Sequence, residues 1–198
     1  MSAVRLCAIS LLLLFPALPA PALAQNALAT LAKAAMDEAT DPQAFAGDVN
    51  AEVLRLLQHP PTAEDISAIP SLAEAFPQSD PLIQDDMLTL FAHLLAHGGD
   101  HRAAIIDTAT AALASPDVAV RVKALDVLGR SGDEAVIPPI LDMLADPSPD
   151  VRLQALFALA PFAEDGRHPQ IYPAIALLTE DADQRVGTAA QSLMQYAP

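Results

Sequence analysis

One short pattern is stated twice between Ser115 and Ala160. Ser115-Pro-Asp-Val-Ala-Val-Arg-Val-Lys-Ala-Leu-Asp-Val-Leu-Gly129 is followed by Asp146-Pro-Ser-Pro-Asp-Val-Arg-Leu-Gln-Ala-Leu-Phe-Ala-Leu-Ala160. Val120, Arg121, Ala124, Leu125 and Leu128 fall on Val151, Arg152, Ala155, Leu156 and Leu159, a shift of 31 residues (151 − 120). Self-similarity at that period marks a solenoid of helical hairpins. A single hairpin cannot bury its apolar stripe alone, so each must be covered by its neighbours. This constrains the architecture far more than it constrains the task.

The punctuation around the pattern extends it. Asp80-Pro81, Ser115-Pro116 and Asp146-Pro147 each place a capping side chain before a proline. That order suits a helix start, where proline loses no needed hydrogen bond. Helix pairs are expected at about 81–97 with 101–114, 116–130 with 134–145, and 147–161 with 169–179, then a lone helix at 182–196. The last unit repeats at a shift of 35 (Val151 on Val186, Ala155 on Ala190). Its four extra residues (35 − 31) fall in the turn between Pro161 and Gln170, the most tolerant place for an insertion. Upstream, Ala27–Ala39 reads as a helix stopped by Thr40-Asp41-Pro42. A second is expected after Asn50 and a third, capped by Thr62, to Phe76. Residues 79–198 are thus the repeat array, and 25–78 a helical cap or degenerate repeat.

Aromatic residues are few (six Phe, two Tyr, no Trp), so the core must be built from Ala, Leu, Ile and Val. The net charge is −15 with ten Lys and Arg, a surface that repels nucleic-acid phosphates and anionic headgroups. Residues 1–24 have the form of a cleaved signal peptide: Arg5, an apolar run from Leu6 to Phe15, and Ala22-Leu23-Ala24 before Gln25. An exported protein of a bacterial periplasm is expected, with no stable membrane insertion after cleavage. The single cysteine, Cys7, lies in that leader, so the mature chain has no thiol chemistry.

No phosphate loop, nucleophile elbow or acid–base pair stands out, no catalytic set is expected, and no cofactor is implied. The constellation with the most chemical potential is Asp86, His93, His97 and His101. Two imidazoles four apart on a helix share one face, and with a carboxylate they can take zinc, copper or nickel. The turn residues Glu164, Asp165, Arg167 and His168 form a candidate binding loop. Ile137, Ile140, Leu141, Met143 and Leu144 exceed one apolar stripe, so the second helices are the candidate contact surface.

Asp146-x-x-x-x-Val151-Arg152-x-x-Ala155-x-x-x-Leu159, preceded by Gly132-Asp133-x-Ala135-Val136-x-Pro138-x-Ile140, resembles HEAT repeats of the phycobilisome-lyase-like type. The resemblance implies an all-α, right-handed solenoid of antiparallel helix pairs, with first helices convex and second helices on a concave, protein-binding side. It also implies a structural ladder of turn acids and bases six positions on, matched by Asp146 and Arg152, with Arg121 reaching Asp146. Bilin-lyase activity does not follow, since the shared motif is the repeat itself. Two functions are expected from these readings: a non-enzymatic scaffold that binds another protein through its concave face or its 161–170 loop, or a periplasmic metal-binding protein.

Overall fold

The computed structural model describes residues 27–37, 39–164 and 166–198; the expected leader and Cys7 lie outside them. Eleven α-helices run in order among the described residues: α1 Ala27–Ala35, α2 Pro42–Gln58, α3 Ala63–Ser67, α4 Ile69–Ala75, α5 Pro81–Leu94, α6 Arg102–Ala112, α7 Val118–Ser131, α8 Ile137–Asp142, α9 Pro149–Glu164, α10 Tyr172–Ala176 and α11 Gln184–Met194. Short 3₁₀ turns flank α8 and precede α10.

The helices form two layers. Helices α2, α5, α7, α9 and α11 pack in succession, and α1, α4, α6, α8 and α10 lie behind them. The repeated apolar positions make the seam: Val120, Ala124, Leu125 and Leu128 are fully buried, as are Val151, Ala155, Leu156 and Leu159. Small residues at this seam set how closely the helices approach. A Cβ added at Gly129 would stand 2.8 Å from Ala158 Cα, so α7 and α9 touch backbone to backbone there. The layered solenoid expected from the repeat is what forms.

Several boundaries differ from the sequence reading. Helix α2 begins at Pro42, not after Asn50: the Asp41 carboxylate accepts from the Gln43 amide, and proline takes the first helical position. Asp41-Pro42 starts α2 as Asp80-Pro81 starts α5, but it does not stop α1, which ends at Ala35 and not at Ala39. The third helix is divided at Ala68 into α3, with a Thr62–Asp65 capping box, and α4. Helix α9 continues through Pro161 to Glu164, although proline offers no amide to the Phe157 carbonyl.

Charge buried in the first layer is fully engaged. Arg55 bonds both Glu52 and Asp65, the latter at 2.7 Å. Ser79 Oγ lies within donating distance of the carbonyls of Ala35 and Ala75, each at 2.9 Å, and ties α1 to the start of the array. No helix among the described residues is long and apolar enough to cross a membrane.

Candidate interaction surface

The ladder is present, and it runs between repeats. Arg121 Nε and Nη2 donate to Asp146 at 2.8 and 3.0 Å, while Nη1 donates to the carbonyls of Ser115 and Pro116. Arg152 does the same one repeat on, with Asp181 at 2.8 and 2.7 Å and the carbonyls of Asp146 and Pro147. The Arg152 guanidinium holds the Asp181 carboxyl below its ordinary range. Each arginine therefore closes its own turn and clamps the next. Before this pair of rungs the device is neutral. Gln84, one residue after buried Ile83 as Arg121 is after buried Val120, donates to the Phe76 carbonyl at 2.9 Å. These groups hold the array together and are nearly out of solvent.

The histidine constellation does not assemble. Helix α5 ends at Leu94, so His97, whose amide bonds back to the Leu94 carbonyl, has left the helical register that would stack it on His93. Asp86 faces another way, into a groove of about 670 Å³ with Asp41, Asp85 and Asp117 between α2, α5 and α7. His101 lies in the 3₁₀ turn before α6. Among the described residues no group of three or more His, Cys, Asp or Glu side chains is placed to hold a metal. In the acidic groove, burial raises the carboxyls of Asp85 and Asp86, and Lys123 opposes the rise. A folded-state value above the unfolded one means the folded chain binds the proton more tightly, so this contribution favours folding less as pH rises. Asp85→Asn is therefore expected to raise the melting temperature at pH 7 and to lose that advantage near pH 4. An unchanged difference across pH would refute it.

The 161–170 loop is shorter and better packed than its sequence suggests. Glu164 closes α9, and Asp165 lies outside the described residues. His168 is 6% exposed and meets Phe162 edge-on at 5.7 Å, with Nε2 3.5 Å from Glu134 Oε1. Arg167 makes a long, exposed pair with the same Glu134 at 3.7 Å. The insertion thus braces one repeat against the one before it. The second helices likewise spend their apolar excess inward: Ile137, Ile140 and Leu144 are buried, and Leu141 and Met143 pack against the core.

The available apolar surface is on the first-helix layer instead. On α9, Leu153, Phe157 and Ala160 face away from the seam, and Phe157 is 55% exposed. With Ala189, Leu193 and Tyr196 they border a groove of about 710 Å³ between α9 and α11. Behind it the buried Tyr172 ties the two helix ends, its hydroxyl lying within donating distance of the carbonyls of Ala163 (2.9 Å) and Tyr196 (2.8 Å). The repeat provides an internal control. Phe157 corresponds to Asp126 at the shift of 31 and to Ser192 at the shift of 35, both polar. Asp126 is ion-paired with Arg130 at 2.9 Å on the surface of α7. Aligning the repeats could have exposed this exception at the outset, since only the α9 copy carries an aromatic ring at the outward position.

A family model described as HEAT repeats matches residues 106–194. No curated protein matches the chain. Among solved structures, the crystal structure of an engineered protein is similar, with 17% identity and a TM-score of 0.56 over 86% of this chain and 79% of that one, a likeness of fold alone. The phycobilisome-lyase-like subtype is not part of these matches. The ladder, the stacked first helices and the matched stretch agree: the described residues form a helical solenoid, and residues 106–194 of it are similar to HEAT repeats.

Proposed function

We propose that this chain is an exported, non-enzymatic scaffold that binds another protein through the first-helix layer at α9 and α11. The observation that carries this is Phe157, held 55% exposed beside an apolar groove where the sister repeats place Asp126 and Ser192. A helix apolar on both sides is ordinarily covered on both. Of the other exposed large apolar residues Tyr196 borders the same groove, while Leu54, Leu57 and Leu177 lie away from it and are ordinary for a folded surface. HEAT repeats are typically non-enzymatic interaction modules, which supports the scaffold reading. Export rests on the leader pattern of residues 1–24, and periplasmic placement follows from it.

The test is affinity capture of the tagged mature protein from its native cell envelope, with and without crosslinker, followed by mass spectrometry. A reproducible partner competed off by untagged protein is the expected result. A bait that retains nothing under either condition would count against a scaffold. The mass of the purified chain reads the leader directly: retention of residues 1–24 would remove the export assignment.

A further inference from the structure

We infer that the α9–α11 groove receives an amphipathic helix of the partner, with lysine or arginine flanking its apolar stripe. This rests on the scaffold reading and specifies the chemistry of what docks.

Leu153, Phe157, Ala160 and Glu164 stand at i, i+4, i+7 and i+11 on α9, one continuous ridge. At 1.5 Å per residue it is about 16 Å long, the length of three helical turns. Helices α9 and α11 run their backbone hydrogen bonds along their own axes, with the Phe157 carbonyl the exception that Pro161 makes, so they offer no edge on which an extended strand could add. Along the apolar wall of α9 a strand would leave its own amides and carbonyls unpaired. A helix satisfies its backbone internally and can lay a stripe of Leu-sized side chains into the groove.

Charge selects between helices. The cation on the groove wall, Arg185, is already engaged by Asp150 and Asp183, each at 2.9 Å. Glu164 closes the α9 ridge, exposed and without an ion pair among the described residues. The rim is therefore net negative on a chain of net charge −15. A basic flank is drawn to it, whereas a second copy of the same chain is repelled.

The experiment titrates the full protein into three fluorescein-labelled peptides and follows anisotropy. One is a Leu/Lys sequence patterned as an amphipathic helix, one its Leu/Glu counterpart, and one a scrambled Leu/Lys of the same composition. The patterned Leu/Lys helix is expected to bind best. Phe157→Asp should weaken it about tenfold or more, even though it adds negative charge, because it removes the apolar anchor. The substitution copies Asp126 at an exposed position, so an unchanged melting temperature serves as the folding control. Glu164→Lys should weaken the Leu/Lys helix and improve the Leu/Glu one. Equal binding by Phe157→Asp, or by the scrambled peptide, would overturn the proposal. A wild-type dimer in sedimentation that Phe157→Asp converts to monomer would also overturn it, by assigning the groove to a second copy. A captured partner that the Phe157→Asp bait still retains would overturn the groove and leave the scaffold standing. A wild-type bait that captures nothing would fail the scaffold reading itself.

Discussion

Arg152→Met should destabilise the array by about 3 kcal/mol, the scale for breaking one side of a buried ion pair. In a chain of this size that is a fall in melting temperature of roughly 6–12 °C. The side chains of Arg152 and Asp181 are 15% and 7% exposed, and the arginine also closes the turn carbonyls of Asp146 and Pro147. Methionine fills the stem and removes the charge. Asp181 would then keep only the Asp183 amide, at 2.8 Å, in a site nearly closed to water. Arg130→Met is the control. Its pair with Asp126 is 62% and 33% exposed, and such surface pairs are worth about 0.2–1 kcal/mol. Equal melting temperatures for the two variants would refute the distinction. Arg152→Met with Asp181→Asn should recover much of the loss, because the buried charge goes with its partner.

The same pair sets an acid limit. Asp181 has a folded-state value below its unfolded one, so its contribution is complete above the ordinary carboxylate range. It is lost as pH falls below about 4 and on through the folded value. Arg152→Met should flatten that part of the stability profile. A variant that loses stability in acid as steeply as the wild type would show that other carboxylates dominate there.

How much of this was legible beforehand depended on how local each feature is. The hairpin repeat and the small residues at the seam are written within one unit, and they were read, as was the cap at Asp80-Pro81; at Ser115-Pro116 and Asp146-Pro147 the helix starts two residues later than expected, α7 after its cap Asp117 and α9 at Pro149. The ladder between neighbours, with Arg121 reaching Asp146, was legible through the repeat resemblance. Its second rung, Arg152 to Asp181, was not named there, although Asp181 falls on Asp146 at the shift of 35. The ladder ends where the corresponding residue carries no charge, at Gln84 upstream and at Gly187 in the last unit. The surface was misjudged for a related reason. Counting apolar residues in the second helices could not reveal that their 3₁₀-flanked, short helices turn nearly all of them inward. The histidines failed because helical spacing was extended past Leu94, where the helix ends.

The closest prediction to the architecture itself uses one substitution at two glycines, with opposite expected signs. Gly129→Ala places a Cβ 2.8 Å from Ala158 Cα, closer than real Cβ contacts come, and a tight 3.0 Å from its Cβ. The nearest atom is backbone, so relief requires α7 and α9 to separate along the most densely packed seam. Overpacking of this kind costs about 1–3 kcal/mol. Gly47 also lies within a helix, α2, but a Cβ there meets nothing within 4 Å. Gly47→Ala should therefore stabilise by about 0.4–1 kcal/mol, by removing backbone freedom from the unfolded chain. Thermal melts of the two variants beside the wild type read both effects. If Gly129→Ala melts at or above the wild-type temperature, the close approach of the first helices does not limit the packing of the solenoid, and the small residues at the seam need another explanation.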